Sequence, residues 1–154
     1  MTQKDKSPVN RQEPQPIVKE VLLNAPVTKV WKAITDKNDM KKWYFDIPEF
    51  KPEVGFEFQF TGPEGYEHYI HICKITDVIV NKKLSYTWIY EGYAGNSQVT
   101  FELFEEGDKT RLKLTHEGLD SFGADNPELS RENGDEGWEY LISRAIKEFV
   151  EQDA

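Results

Sequence analysis

The sequence predicts an α+β fold in which a curved antiparallel sheet of about six strands wraps around a long C-terminal helix. Three observations predict it. Trp138, Leu141, Ile142, Ala145 and Phe149 recur at helical spacing, which makes one face of the terminal segment apolar and bulky. Ahead of it runs a series of segments in which aromatic and aliphatic residues alternate with polar ones, the period of half-buried strands. Each of these segments ends at a short turn, which favours antiparallel meander pairing over parallel crossovers. Such a helix and such a sheet hide each other's apolar faces, and the arrangement leaves room for a cavity between them.

The elements follow in order. Ile17 to Leu23 carries Val18, Val21 and Leu22 and reads as a first strand. Asn24-Ala25-Pro26 starts a helix, because proline suits the first turn, where its missing N–H has no bond to make. Val27, Val30, Trp31 and Ile34 then share one face. Asp36-Lys37-Asn38-Asp39 interrupts it, and a second short helix is expected from Asp39 to Tyr44, with Met40, Trp43 and Tyr44 facing inward. Val54 to Phe60 is the clearest strand: Phe56, Phe58 and Phe60 alternate with Glu57 and Gln59. Thr61-Gly62-Pro63-Glu64-Gly65 is a turn by composition. Tyr66 to Val80 is the next strand, with a kink expected near Asp77. After Asn81-Lys82-Lys83 turns the chain, Leu84, Tyr86, Trp88 and Tyr90 alternate with Ser85 and Thr87. A Gly-rich loop follows from Glu91 to Asn96, then Val99, Phe101 and Leu103 alternate with Thr100 and Glu102. Glu106-Gly107-Asp108 is a hairpin signal. Leu112, Leu114 and His116 share one face of the last strand. Gly118 to Gly134 reads as a loop with a helical turn at Asn126-Pro127-Glu128, and the terminal helix is expected from Asp135 to Glu151.

Length and composition narrow the function. The 154 residues fit one domain, expected over residues 16–154, with residues 1–15 a disordered tail rich in Gln, Lys and Pro. Aromatic residues make up 13% of the chain, enough for a solid core or the walls of a pocket. The net charge of −9 repels phosphate backbones, so nucleic acid is not an expected partner. The single cysteine, Cys73, permits no internal disulfide, and no apolar leader or membrane-spanning stretch is present, so a cytoplasmic location is expected.

Specific motifs carry a resemblance. They are Ala25-Pro26 with Val30-Trp31-Lys32-Ala33-Ile34-Thr35-Asp36, Lys42-Trp43-Tyr44, Gly55-Phe56-Glu57-Phe58, Leu84-Ser85-Tyr86-Thr87-Trp88, the run Thr110 to Gly118, and Gly137-Trp138. In this order they resemble the START-like (SRPBCC, helix-grip) superfamily, which includes birch-pollen allergens and lipid-transfer domains. Within it they resemble the family named after the C-terminal domain of the activator of the ninety-kilodalton heat-shock chaperone ATPase. The resemblance spans Ile17 to about Gln152 and implies a helix-grip fold with a hydrophobic cavity. It also implies a chaperone as a partner, although these 154 residues hold no counterpart of the additional N-terminal domain through which the eukaryotic activator engages it.

The leading functional expectation is a non-enzymatic module that binds a small apolar or amphipathic molecule between sheet and helix. The expected lining comprises Trp31 and Trp43 from the short helices, Phe58, Phe60, His71, Tyr86, Trp88, Phe101 and His116 from the strands, and Trp138, Leu141, Ile142 and Ala145 from the terminal helix. Tyr86, His71 and His116 are the expected polar anchors. Two alternatives stay open: an enzyme of the cyclase or hydrolase type in the same cavity, and a co-chaperone-like protein-binding module. His116 is either a ligand contact or general base, or a satisfied core histidine. His71 shares a face with Tyr69 and Cys73, and charged Lys74 on the other face directs that set inward. Cys73 reads as an inert buried thiol, because no nucleophile triad surrounds it in sequence. No Cys-x-x-Cys or helical His-x-x-x-His occurs, and His68 and His71 fall on opposite faces of a strand, so neither a metal nor a cofactor is expected. Glu132, Asp135 and Glu136 read as the solvated start of a helix or as a docking surface for a basic partner. Trp138 either stacks on a ligand or plugs the end of the sheet, with Gly137 expected to let helix and sheet approach closely.

Overall fold

The computed structural model describes residues 15–62, 66–122, 129 and 131–152. The expected tail apart from Gln15, the turn residues 63–65 and the expected helical turn at Asn126-Pro127-Glu128 lie outside these residues.

The chain runs β1 (Ile17–Leu23), α1 (Val27–Thr35), α2 (Lys37–Trp43), β2 (Glu57–Thr61), β3 (Ile70–Ile79), β4 (Lys83–Tyr90), β5 (Ser97–Glu106) and β6 (Lys109–Glu117). A short 3-10 turn (Leu119–Phe122) follows, and later a C-terminal helix in three continuous parts: α3 (Arg131–Tyr140), a π-helical turn (Leu141–Ala145) and α4 (Ile146–Glu151). The six strands form one antiparallel sheet in the order β1-β6-β5-β4-β3-β2. This is the α+β helix-grip architecture that the alternation and the terminal amphipathic segment predict.

Local chemistry sets the boundaries. Pro26 occupies the position just before α1 in an extended conformation, one residue earlier than a first-turn proline. Asp36 ends α1 and caps α2, accepting from Asn38 N at 2.8 Å and Asp39 N at 3.2 Å, so the second helix begins two residues ahead of the expected Asp39. Trp43 donates from Nε1 to the Ala33 carbonyl at 2.7 Å and ties the two helices together. The kink expected near Asp77 is a register shift between Ile75 and Asp77. Gly107 and Asp108 form the two-residue turn of the β5–β6 hairpin, with Gly107 at φ +67°.

The loops before β5 and after β6 interlock. Asn96 N donates to Ser121 Oγ at 2.7 Å. Gly95, at φ +121°, sits so close that an added Cβ would lie 2.5 Å from Phe122 Cδ1, so only glycine fits. This contact fixes Phe122 against Tyr90, with ring centroids 5.0 Å apart.

The core lies between the sheet and the C-terminal helix. Trp138, Ile142, Ile146 and Val150 are the buried residues of that helix, spaced by four. Each four-residue step overshoots a helical turn by about 40°. The wider π turn at Leu141–Ala145 turns back part of that drift and keeps both ends of the stripe on the sheet. Leu141, Ala145 and Phe149 flank the stripe and are half-buried. The helix starts at Arg131, four residues earlier than expected, and the segment read as a loop from Gly118 contains the 3-10 turn. No helix among the described residues is long and apolar enough to cross a membrane.

Candidate functional site

A cavity of about 420 Å³ lies between the sheet and the first turns of the C-terminal helix. Tyr69, which immediately precedes β3, and His71 on β3 form one side. Trp88 and Tyr90 of β4 and His116 of β6 form the floor. Leu119, Leu129, Gly134, Gly137, Trp138 and Leu141 close it from the helix side, and Phe45 borders it from the segment after α2. Tyr66, Asn133 and Glu136 are exposed at the rim.

The strand period brings these side chains together. His71, Cys73 and Ile75 form the buried set of β3, with Tyr69 continuing it just ahead of the strand, and Leu84, Tyr86 and Trp88 are the inward residues of β4. The rings then pack in alternating orientations. Trp88 lies edge-on to His71 at 4.9 Å, His71 stacks on Phe60 at 4.6 Å, and Trp138 tilts over Trp88 at 5.7 Å.

His116 is fully engaged. Trp138 Nε1 donates to its Nδ1 at 2.9 Å. On the other side, Ser97 Oγ gives its only proton to the Trp88 carbonyl at 2.7 Å, so at 2.8 Å it must accept from His116 Nε2. His116 is therefore the neutral ring with its proton on Nε2, and both nitrogens are spent. Burial, with a smaller push from His71, holds its pKa down at about 3. A second proton would have to sit on Nδ1, opposite an indole N–H.

His71 is neutral too. Its Nδ1 donates to the Tyr69 carbonyl at 3.2 Å. Burial lowers its pKa to about 4, against the opposing pull of the Tyr69 and Phe60 carbonyls. Tyr90 accepts from Trp88 Nε1 at 2.9 Å and makes no donor hydrogen bond among the described residues. Its own O–H is an unspent donor in the cavity wall, and burial raises its pKa to about 12, so the phenol keeps its proton.

The residues expected to line a cavity divide into two groups. His71, Trp88, His116, Trp138 and Leu141 border this one. Trp31, Trp43, Phe58, Phe60, Tyr86, Phe101, Ile142 and Ala145 do not; they belong to the packed core or lie against it. Tyr86 is instead paired with Tyr44, their hydroxyl oxygens 2.7 Å apart deep in the core. Burial pushes the Tyr44 and Tyr86 pKa values well up, even though one edge of Tyr44 stays accessible. Phe45, Tyr66, Tyr69 and Tyr90 border the cavity without having been singled out as lining. The strand alternation that pointed to Tyr86 and Trp88 also marked Tyr90, two residues further on. Gly137 does not serve close packing: an added Cβ there would meet nothing within 4 Å. Gly134 is the residue at the close approach, where a Cβ would lie 3.3 Å from Ile17 Cδ1. His68 lies in the turn ahead of β3 rather than on the strand. Among the described residues no three His, Cys, Asp or Glu side chains gather into a metal-binding group.

Comparison with known proteins places this architecture. No curated protein matches the sequence significantly. Among solved structures, protein BH1534 of Bacillus halodurans is 31% identical, matches 90% of this chain and 99% of its own, and has a TM-score of 0.72. Protein MLL2253 of Mesorhizobium loti is 25% identical over 91% of this chain and 99% of its own, with a TM-score of 0.73. CalU16 of Micromonospora echinospora is 26% identical over 90% of this chain and 77% of its own, with a TM-score of 0.68. The family model described as "Activator of Hsp90 ATPase homolog 1-like protein" matches residues 24–151. The chain therefore belongs to the Activator of Hsp90 ATPase homolog 1-like family, within the START-like superfamily whose helix-grip fold it adopts.

Proposed function

We propose that the protein binds a small apolar or amphipathic molecule in the cavity between the sheet and the first turns of the C-terminal helix. The observation that carries this reading is the cavity itself: about 420 Å³ walled by Phe45, Tyr69, Trp88, Tyr90 and Trp138. A concave space of this size, walled mostly by aromatic rings and open at one rim, has the form of a small-molecule site. Tyr90 O–H is the polar anchor inside it. His71 and Trp138 supply ring faces, and His116 holds Trp138 in place.

A cyclase or hydrolase reading needs a proton acceptor in the cavity. The expected one, His116, has both nitrogens in hydrogen bonds, and His71 is a weak base at neutral pH. These facts favour the binding reading.

The test is a thermal-shift and fluorescence titration of the purified protein with 4-phenylbutanol, a neutral aromatic amphiphile, alongside the Gly137→Leu variant. The wild type should be stabilised, with a change in Trp88 and Trp138 emission. The variant should fold and lose the response, because its side chain occupies the open space beside Gly137. No shift in the wild type, or an undiminished shift in the variant, would overturn the reading.

A further inference from the structure

The charge around the cavity narrows the ligand class. Among the described residues no lysine or arginine borders it, and the two histidines on its wall, His71 and His116, are neutral. Among the described residues the one carboxylate on its wall is Glu136 at the rim. Two neighbouring acids, Asp135 and Glu139, both pair with Lys19, at 3.1 and 2.9 Å. Glu136 has no ion-pair partner among the described residues. It sits between cavity and water, beside walls made of aromatic faces, on a protein of net charge −9.

Resting on the cavity-binding reading above, we infer that the ligand is an organic cation, an amine with an apolar body, and not a fatty acid or other anion. The apolar body fills the space between Trp88, Tyr90 and Trp138. The ammonium stays at the rim, where Glu136 gives it a counter-charge and the exposed ring of Tyr66 offers cation–π attraction. The same arrangement repels a carboxylate head, which would meet the Glu136 anion at the rim and, among the described residues, no cation. Attraction for one sign and repulsion of the other each contribute about a few-fold at an exposed rim charge. Their product separates matched amine and acid by about tenfold.

The experiment compares 4-phenylbutylamine, 4-phenylbutanol and 4-phenylbutyrate, which share ring and linker and differ only in the head. Affinities are measured by calorimetry on the whole chain at low salt and at 0.5 M salt, for wild type and Glu136→Gln. The expected result is an amine bound about tenfold tighter than the acid, with the alcohol between them and the spread narrowed by salt. Glu136→Gln should lower the amine-to-alcohol ratio at least threefold. An alcohol or acid that binds as well as the amine overturns the inference and leaves the cavity reading standing. An amine-to-alcohol ratio unchanged by Glu136→Gln overturns it as well. Failure of all three to bind overturns both.

Discussion

The indole of Trp138 on the C-terminal helix donates through Nε1 to Nδ1 of His116 on β6, 2.9 Å away, in a site where both residues are buried. This bond couples helix to sheet at the edge of the cavity. It also fixes the histidine tautomer, because the donor on one side obliges the proton to sit on the other nitrogen, facing Ser97.

Trp138→Phe keeps an aromatic ring but removes the donor and leaves a buried Nδ1 unpaired. The expected loss of unfolding free energy is about 1–3 kcal/mol, with any packing loss added. Urea denaturation measures it. A variant as stable as the wild type would mean that the bond contributes nothing.

Acid should destabilise the protein earlier than its carboxylates alone would. His71 and His116 have folded pKa values of about 4 and 3, both below the ordinary value of 6.5. Between those limits the unfolded chain binds protons that the folded chain refuses, so stability rises with pH. The contribution is full above pH 6.5 and is lost as the pH falls toward 4 and then 3. The slope for two such groups approaches about 2.7 kcal/mol per pH unit. Glu139 and Glu151, held below the usual carboxylate range chiefly by hydrogen bonds from Lys19 and Lys147, act in the same direction at lower pH. Denaturation at a series of pH values gives the slope, and proton NMR of the histidine rings gives the assignment. A His116 resonance that titrates near pH 6.5 in the folded protein would refute the account.

Gly137→Ala should stabilise the protein by up to about 1 kcal/mol, since alanine favours the helix and its Cβ meets open space. Gly134→Ala should gain less or lose stability, because its Cβ presses on Ile17. Paired thermal melts decide the order. Gly134→Ala proving the more stable of the two would show that the helix sits differently on the sheet.

Cys73 is fully buried on β3, and burial alone raises its thiol pKa well above the ordinary value. The native protein should resist a thiol-reactive disulfide reagent at pH 8 and react promptly in denaturant. Rapid labelling of the folded protein would contradict this placement.

Much of the fold was legible because its strands obey a strict period. Phe58 and Phe60, Tyr86 and Trp88, Val99 and Phe101, and Leu112 and Leu114 all face the core as their alternation requires. The start of the C-terminal helix was hidden for a physical reason. Residues 131–137 are polar or glycine because that stretch borders a void and solvent, so they carry no apolar period to read. The π turn was equally invisible, since a side-chain pattern does not reveal one extra residue in a turn. The cavity's position was the hardest part. Alternation marks Phe58, Tyr86, Phe101, Trp88 and Tyr90 alike as inward. Only the angle of the helix decides which of them meet packed atoms and which meet space. Tyr90 carries the same alternation signal as Tyr86 and Trp88, and Phe45 lies in no regular element at all.

The central claim is that a small molecule enters between Trp88, Tyr90 and Trp138. Intermolecular nuclear Overhauser effects between 4-phenylbutylamine and the isotope-labelled protein test it most directly. The account predicts contacts from the ligand ring to the Trp88 and Trp138 indoles and to the Tyr90 ring. Contacts confined to exposed residues such as Phe104 or Val80, with none to those three side chains, would contradict it.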